Sequence, residues 1–344
     1  MENATNATTT VTSNIIRGSS PSHYLWEVEY ILTPLLLLLG GFGNSLTIIV
    51  MRSATFRRLP VSKLLMAMSL SDVVLNLMLP LNKSFVHHMI GIDVRALSSG
   101  GCKLFFWINR LAKTTSSWLI VLITVERFIA VWLPMRAKFI NTDRNVCVAL
   151  ILLYGMLAVF FGYWCSWADR VIDNICIMNS RPPGFEHLSE IFLLGGLLLY
   201  SFIPSIILLI FNGLIIYKLA TRRKRIAPES NTTNSTSISA QPRSVRNTHT
   251  APNSKTSVML ISVAMSFVVL VTPNAVANIV SFIRKETMLE TTDPVTASLR
   301  EAAQILEQLS HSVNFILYVL CNKRFRDGVI TMFKINKTHP NNHN

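Results

Sequence analysis

Charged residues are scarce in this chain of 344 residues. Only 15% of the residues are Asp, Glu, Lys or Arg, whereas a soluble protein carries about 25%. Half of the residues are apolar, and they lie in separate long blocks. Acids are also fewer than bases, 18 against 32, which gives a formal net charge of +14. This composition excludes an ordinary soluble globular protein.

Three further features are missing from the sequence. The amino-terminal segment has no apolar core of the kind found in cleaved signal peptides, so the first apolar block is expected to act as a signal anchor. There is no internal repeat, which disfavours the inverted-repeat architecture of many transporters. No group of residues combines a nucleophile, a base and a metal-binding set, so the sequence does not indicate an enzyme.

Seven apolar blocks are each long enough to cross about 30 Å of hydrocarbon as a helix, which takes roughly 20 residues. Two of them, ILTPLLLLLGGFGNSLTIIV and IFLLGGLLLYSFIPSIILLIF, are apolar around the whole helix and not along one face. The blocks therefore predict an all-α membrane protein with a seven-transmembrane helix bundle. The predicted spans are 31–52, 62–88, 101–132, 144–167, 188–219, 256–283 and 296–320.

The distribution of bases predicts the orientation. If the amino terminus is outside, most Lys and Arg residues fall in inner segments, including RRKR at 222–225 and KRFR at 323–326, as the positive-inside rule requires. The predicted organisation is an extracellular tail (1–30), a transmembrane domain (31–320) and a cytoplasmic helix and tail (321–344). We interpret the basic charge as membrane topology and contact with anionic lipid, and not as a nucleic-acid site.

Two loops and the tail carry further signals. Asn3 and Asn6 each open an N-x-Thr sequon in the tail, which predicts glycosylation there. Cys102 and Cys176 are both placed on the oxidising outer side, which favours a disulfide between them. The segment 226–254 is rich in Ser, Thr, Asn and Pro, and it predicts a disordered third inner loop.

Polar residues recur at helical spacing inside three predicted spans. Ionisable residues within a membrane are costly and usually functional. Stripes of this kind cannot face lipid, so they are expected to meet inside the bundle and line a cavity. The members are Asp72, Asn76 and Lys83 in the second span, Asn109, Lys113, Ser116, Thr124 and Arg127 in the third, and Glu301, Gln304, Gln308, His311, Asn314 and Tyr318 in the seventh.

Charges concentrate in the outer half of the expected cavity. Lys113 and Glu307 lie at similar depth, so we expect them to pair, because a lone charge there would shift its pKa instead. One interpretation is a purely structural ion pair. Ligand contact is the favoured one, because five charges near one mouth exceed what packing needs: Lys83, Arg110, Lys113, Glu301 and Glu307. The candidate ligand-binding residues are Lys83, Asn109, Arg110, Lys113, Asn278, Gln304 and Glu307.

Together these motifs resemble the rhodopsin-like family of G-protein-coupled receptors, also called class A, over every predicted span. The stretch SVNFILYVLCNKRFR is similar to the seventh helix of invertebrate FMRFamide-type neuropeptide receptors. The resemblance implies a plasma-membrane receptor with a heterotrimeric G protein, arrestin and receptor kinases as partners, and a short amphipathic helix after the seventh span. The matching residues are Asn44, Asp72, Cys102, Arg127, Pro204, Phe267, Pro273, Asn314 and Tyr318, with KRFR after them.

The resemblance also implies two functional groups. ERF, with Glu126 and Arg127, stands where the family has its D/E-R-Y motif, so this pair is expected to act as a latch toward the G protein. Asn314 and Tyr318 belong to the same latch. Asp72 and Ser116, near His311 and Asn314, match the family's central polar cluster, where the resemblance implies an allosteric sodium ion.

Several positions depart from the family pattern. Val271 stands at the place of the family's toggle tryptophan in the sixth span, and Asn212 at that of the usual tyrosine in the fifth. Tyr154 stands roughly where the fourth span normally has Trp. In the seventh span Phe315 follows Asn314 where proline is usual, so the proline kink is expected to be lost. The residues that usually couple the ligand pocket to the inner end in this family are therefore replaced at these positions, so the resemblance does not carry that coupling over to this chain.

The nature of the ligand follows only in part. Asn109 stands where aminergic receptors need an acid, and Gln308 where opsins carry a lysine, so both classes are excluded. A neuropeptide is the favoured ligand, because the outer loops and the pocket carry charges of both signs. The alternatives are a small acidic or lipid ligand held by Arg110 and Lys113, a constitutively active or decoy receptor, and, more remotely, a transporter.

Overall fold

The computed structural model describes residues 23–172, 174–177, 186–226, 254–284 and 294–335. Within these residues it is a bundle of seven long helices, which are called the first to seventh spans in chain order. The spans are His23–Arg52, Pro60–Met78, Ser99–Trp132, Asp143–Ala168, the fifth built from Glu186–Leu197, a π-helical turn Leu198–Phe202 and Ile203–Ile226, then Ser254–Ile283, and the seventh built from Pro294–Ser312 and Asn314–Cys321.

Short elements join the spans. Two 3₁₀ turns and three short helices flank the bundle, and two strands form an antiparallel hairpin in which Val171 pairs with Cys176. Asn174 adopts a left-handed conformation with φ of 61° at the hairpin turn, which Asn tolerates better than most residues. These elements are the 3₁₀ turns Leu79–Leu81 and Val94–Leu97, the helices Lys83–Ile90, Pro134–Ile140 and Lys323–Ile335, and the strands Arg170–Ile172 and Ile175–Ile177.

The predicted fold is confirmed, with three boundaries shifted by more than a few residues, one of which is the end of the fifth span at Ile226 and not at 219. The first span starts at His23, so its helix extends into the predicted tail 1–30. The second span ends at Met78 and not at 88, because a 3₁₀ turn containing Pro80 follows it and Lys83 opens a separate helix. Asn3 and Asn6 and nearly all of the predicted inner loop lie outside the described residues.

Among the described residues, six helices are long and apolar enough to cross a membrane. The seventh span falls short of that apolarity because a polar stripe runs along it, from Gln304 through His311 to Tyr318. The stripe faces inward, since His311, Asn314 and Tyr318 are all buried. A polar helix of this kind is stable in a membrane only when its neighbours cover the polar side.

Two glycines let the first span approach its neighbours closely. A Cβ atom added at Gly40 would lie 2.3 Å from Asn76 Oδ1, and one at Gly43 would lie 2.7 Å from Phe315 Cβ. Because neither distance is tolerable for carbon, larger residues would push the first span away from the second and seventh. Gly40, together with Gly43 of the motif GFGNSL, therefore fixes the spacing that lets Asn44 reach the seventh span.

The core lies toward the end of the bundle opposite the disulfide. Phe325 of the last helix is buried there, and Val329 and Met332 pack against the same core. This apolar face confirms the amphipathic helix predicted after the seventh span. Tyr318 and Phe325 meet edge to face, with ring centroids 5.6 Å apart. The Asn322 side chain accepts the backbone N–H of Arg324 and caps the helix.

Candidate functional site

The end of the bundle that carries the predicted disulfide is held together by three kinds of contact. Cys102 and Cys176 are bonded, which confirms the pairing and fixes the hairpin to the third span. The buried Asp93 accepts hydrogen bonds from the side chain of Arg95 at 2.8 and 2.9 Å and from the backbone N–H of Cys176 at 3.0 Å. Arg95 also lies over the rings of Phe105 and Phe106. This region is called the disulfide end below.

The Asp93 carboxylate depends on these donors. Burial alone would raise its pKa, but the hydrogen bonds from Arg95 and from the Cys176 backbone outweigh that effect and hold the pKa of Asp93 below its usual value. Asp93 therefore stays ionised at neutral pH and links the loop 91–98 to the hairpin. Neither Asp93 nor Arg95 was predicted from the sequence, because they lie in a loop without periodicity.

Arg110 is directed away from the predicted ligand site. Its guanidinium forms an ion pair with the buried Asp169, with Nη2 3.0 Å from Asp169 Oδ1. It also lies 4.5 Å from the ring centroid of Trp164 and 5.5 Å from that of Phe106. This charge therefore joins the third span to the end of the fourth, and ligand contact by Arg110 stays a prediction.

Lys113 and Glu307 meet as expected. Lys113 Nζ lies 3.0 Å from Glu307 Oε2, and Asn274 Nδ2 donates to the same oxygen at 2.6 Å. Lys113 also lies 5.4 Å from the ring centroid of Tyr200, which belongs to the π-helical turn of the fifth span. These four residues, Lys113, Tyr200, Asn274 and Glu307, form the Glu307 cluster, and they join the third, fifth, sixth and seventh spans.

Exposure differs sharply within the Glu307 cluster. The side chain of Glu307 is only 4% exposed, whereas that of Lys113 is 30% exposed. Tyr200 and Asn274 are buried. Lys113 is therefore the member that a molecule entering the bundle would meet first.

Three of the other predicted ligand residues surround the open side of this cluster. Asn109, Asn278 and Gln304 are half-buried, and no hydrogen bond of their side chains occurs within the described part of the chain. Each stands one helical turn from a member of the Glu307 cluster, on the side toward the disulfide end. The side chain of Lys83 lies outside the described part of the chain. Glu301 is half-buried nearby on the seventh span.

A second buried carboxylate lies deeper, at Asp72. Ser116 Oγ donates to Asp72 Oδ1 at 2.6 Å, and Asn314 Nδ2 donates to Oδ2 at 2.8 Å. His311 Nδ1 lies 3.0 Å from Oδ1. These four residues, Asp72, Ser116, His311 and Asn314, form the Asp72 cluster, and they join the second, third and seventh spans.

The Asp72 cluster does not fit the sodium ion that the resemblance implies. A sodium ion needs several free oxygen atoms, but both carboxylate oxygens of Asp72 already face N–H or O–H donors. His311 adds a nitrogen where a hydroxyl oxygen would suit a hard cation. The sodium site remains a prediction, and no step in the mechanism depends on it.

The seventh span breaks beside this cluster although it lacks the family's proline. The helix stops at Ser312 and resumes at Asn314. Asn44 Nδ2 donates to the His311 carbonyl at 3.0 Å, and a continuous helix would use that carbonyl for the N–H of Phe315. A side chain from the first span thus competes with the backbone hydrogen bonds of the helix, so the seventh span is interrupted here without a proline.

At the opposite end, called the Arg127 end, Glu126 and Arg127 form the expected pair. Arg127 Nε lies 2.8 Å from Glu126 Oε2, in the geometry of a charge contact and not of a hydrogen bond. Asn141 Nδ2 donates to Glu126 Oε1 at 3.2 Å. Tyr318 is buried, and its hydroxyl has no hydrogen-bond partner among the described residues. The pair is thus held by the short helix after the third span.

Comparison with known protein families identifies the family of this chain. The family described as "7 transmembrane receptor (rhodopsin family)" matches residues 43–318, which is most of the chain. The chain belongs to this family. Since the family consists of receptors, the chain is not an enzyme, and a multi-pass location in the plasma membrane follows.

Individual relatives of this rhodopsin-family receptor are distant. Galanin receptor 2b of Danio rerio is 25% identical over 156 residues, which cover 44% of this chain and 39% of the relative. The thyrotropin-releasing hormone receptor of Gallus gallus is 23% identical, over 55% of this chain and 48% of the relative. The FMRFamide peptide receptor frpr-18 of Caenorhabditis elegans is 32% identical over 37% of this chain and 32% of the relative. The chain spans less than half the length of these relatives.

The receptor accommodates its departures from the family pattern in the core. Val271 is completely buried and packs in the main hydrophobic cluster with Phe267, whose ring lies edge-on to Tyr200 at 6.4 Å. Tyr154 shares a hydrogen bond of 2.8 Å with Ser71 Oγ and so joins the fourth span to the second. Asn212 donates to the carbonyl of Leu208 in its own helix.

Besides Asp93 and Arg95, sequence reasoning missed the site roles of four residues: Asn274, Tyr200, Asp169 and Asn141. Asn274, directly after Pro273, stands one turn from the predicted Asn278 on the same face, so helical spacing contained the signal. Tyr200 stands four residues before Pro204, where a helix loses a backbone hydrogen bond. Asp169 and Asn141 lie at or beyond helix ends, and periodicity gives no information there.

Proposed function

We propose that this rhodopsin-family receptor binds an extracellular peptide at the Glu307 cluster and activates a heterotrimeric G protein at the Arg127 end. The observation that carries the proposal is the Glu307 cluster itself, a buried ion pair with one exposed member, surrounded by half-buried amides. An amide-rich site with both charges suits a peptide, whose backbone donates and accepts hydrogen bonds. Two of the relatives are named for galanin and FMRFamide peptides.

The orientation belongs to the same proposal. The disulfide end faces outward with the amino terminus, and the Arg127 end faces the cytoplasm with the last helix. A disulfide persists in the oxidising outer compartment, and the bases of the Arg127 end obey the positive-inside rule. Arrestin and receptor kinases are further partners at the inner end, and anionic lipid contacts its bases.

A physical route joins the two ends. Glu307, His311, Asn314 and Tyr318 follow one another at three or four residues along the seventh span, so they form one stripe. Asn274, which donates to Glu307, directly follows Pro273, where the sixth span lacks a backbone hydrogen bond. A ligand that changes the contact between Asn274 and Glu307 acts on this weak point. The sixth span then moves and frees Arg127 from Glu126.

The alternative of an acidic or lipid ligand loses its basis in this arrangement. It relied on Arg110 and Lys113 as free cations, but Arg110 pairs with Asp169 and Lys113 pairs with Glu307. Binding an acid there would leave a buried carboxylate without its partner, which is unfavourable.

The test is a G-protein activation screen in cells that express the full chain, challenged with a library of short amidated and free-acid peptides. We expect at least one peptide to activate the wild type and not Arg127→Ala, at equal surface expression. Arg52→Ala is the matched control, because Arg52 is an exposed base at the same end of the bundle. Silence across the library, with high basal activity that Arg127→Ala removes, would instead indicate a constitutive receptor.

A further inference from the structure

The Glu307 cluster has hydrogen-bonding capacity that its own residues do not use. Three buried polar atoms lack a hydrogen-bond partner among the described residues: Glu307 Oε1, Asn274 Oδ1 and the Tyr200 hydroxyl. Buried polar atoms in proteins almost always have partners. Glu307 and Asn274 share a hydrogen bond, and the Tyr200 hydroxyl lies close enough to the Glu307 carboxylate to interact with it, but outside the geometry of a hydrogen bond. The unused atoms therefore form one group.

The unused atoms define the shape of a complementary group. Both donors of the cluster, Lys113 and Asn274, meet Glu307 at Oε2, which leaves Oε1 without a donor. Glu307 Oε1 and Asn274 Oδ1 can only accept, whereas the Tyr200 hydroxyl can donate or accept. A group with two N–H donors for the two oxygens and one acceptor for the hydroxyl satisfies all three.

The charges of Lys113 and Glu307 restrict which chemical group can bind at the cluster. The charges of Lys113 and Glu307 cancel, so a charged newcomer would leave a net charge in a buried site, which is costly. A carboxylate would also meet the acceptors Glu307 Oε1 and Asn274 Oδ1, and a guanidinium would meet the Lys113 ammonium. A neutral group with two N–H donors and a carbonyl avoids both conflicts.

We propose that the Glu307 cluster binds a primary carboxamide. Its two N–H groups donate to Glu307 Oε1 and Asn274 Oδ1, and its carbonyl accepts from the Tyr200 hydroxyl. This inference rests on the proposed function and names the chemistry that the same site recognises. A carboxamide occurs at the carboxyl terminus of an amidated peptide and in the side chains of Asn and Gln, and the cluster recognises the shared group.

The route of entry passes Lys113. Its side chain is 30% exposed, whereas the three unused atoms are buried. The flexible lysine must therefore change its rotamer before the carboxamide can reach them. Asn109, Asn278 and Gln304 stand one turn nearer the disulfide end and contact the rest of the ligand. The deep carboxamide and the shallower ring of amides thus divide the site into two layers.

The test measures binding to the purified full-length protein through its thermal unfolding midpoint. The probes are N-acetylphenylalanine amide, N-acetylglutamine methylamide, N-acetylphenylalanine and phenethylguanidine, each over a concentration series. Ligands that bind only the folded state raise the midpoint in proportion to their affinity. We expect at least one carboxamide probe to raise the midpoint at concentrations where the acid and the guanidine do not.

Matched variants assign the effect to the cluster. Tyr200→Phe removes only the hydroxyl, and Asn274→Leu keeps the side-chain shape while removing the acceptor together with the donor to Glu307 Oε2. Each should weaken carboxamide binding about tenfold, the value of one buried hydrogen bond. Tyr163→Phe is the control, because Tyr163 is an exposed tyrosine on the outside of the bundle, and it should bind like the wild type.

The two carboxamide probes separate the two sources. A response to N-acetylphenylalanine amide identifies a terminal amide, a response to N-acetylglutamine methylamide identifies a side-chain amide, and either supports the proposal. No response to either probe up to its solubility limit, an equal response to the acid, or a stronger one to the guanidine would overturn it. Carboxamide binding without any peptide activation in cells would contradict the proposed function alone. Activation by a peptide that Tyr200→Phe leaves unchanged would contradict the carboxamide site alone.

Discussion

Two buried carboxylates, Glu307 on the polar stripe of the seventh span and Asp72 of the second span beside that stripe, have different surroundings. Asp72 receives three donors, and each of its oxygens has at least one. Glu307 receives two donors on a single oxygen, and its other oxygen has none among the described residues. The Asp72 carboxylate is therefore a closed joint between spans, and His311 Nε2 is the one buried polar atom of its cluster without a partner in the described part of the chain. The Glu307 cluster retains three such atoms and one partly exposed member. A buried carboxylate whose two oxygens both have donors indicates a structural role, whereas one with an unused oxygen indicates a binding site.

Replacing Asp72 should cause the largest loss of stability. In Asp72→Ala the donors of Ser116, His311 and Asn314 remain buried without an acceptor. We expect the free energy of unfolding to fall by about 3 to 5 kcal/mol, measured by denaturant titration in a membrane mimetic. Asp143→Ala is the control, because Asp143 is exposed in its pair with Lys63. It should change stability by less than about 1 kcal/mol. Equal losses would refute the closed joint.

Breaking the disulfide should cause the second-largest loss of stability. The disulfide lies at the same end of the bundle as the Glu307 cluster. Cys102→Ser, Cys176→Ser and the double variant should each lose about 2 to 5 kcal/mol of unfolding free energy. The three losses should be equal, because either single change already breaks the bond. Cys147→Ser replaces an exposed free cysteine and serves as the control. Losses that add in the double variant would show that the two thiols act independently.

Exchanging the charges of the open cluster should have a smaller effect. Lys113→Glu and Glu307→Lys should each reduce surface expression and signalling, because each places two like charges together. The double exchange should recover about 1 kcal/mol of coupling, a modest value because Lys113 is partly solvated. A double-mutant cycle on unfolding midpoints measures this. If the exchanged pair recovers nothing, the two charges do not interact.

The smallest effect concerns pH at the disulfide end. The lowered pKa of Asp93 means that its contribution to stability is fully present above the ordinary value of 3.8. That contribution is lost as the pH falls through the lower pKa of the folded state. Hydrogen exchange at the Cys176 amide should therefore be independent of Asp93 charge between pH 5 and 7 and should accelerate only in stronger acid. Asp93→Asn should accelerate it already at neutral pH, and an unchanged rate would contradict the link.

Much of the structure around the Asp72 and Glu307 clusters was predictable from the sequence. The seven spans, the disulfide and the meeting of Lys113 with Glu307 all follow from apolar length, compartment and helical spacing. Asp72, Ser116, His311 and Asn314 were predicted to lie together through the family resemblance. These features depend on contacts between helices whose faces the sequence defines.

Loops and helix ends were not predictable in the same way. Arg110 was assigned to the ligand site because nothing in the sequence shows that Asp169 folds back onto it. The break before Asn314 was missed because its cause is Asn44, which is remote in sequence and reaches a backbone carbonyl. The second span was extended too far because a run of apolar residues conceals the 3₁₀ turn at Pro80.

We propose that ligand binding and G-protein activation occupy opposite ends of one polar stripe. The most direct test uses the first peptide that activates the wild type, radiolabelled, on membranes carrying wild type or Arg127→Ala. Saturation binding and nucleotide exchange by the G protein are measured on the same preparation. We predict that the Arg127→Ala variant binds the peptide but catalyses no nucleotide exchange on the G protein. Intact exchange in that variant would contradict the latch formed by Glu126 and Arg127.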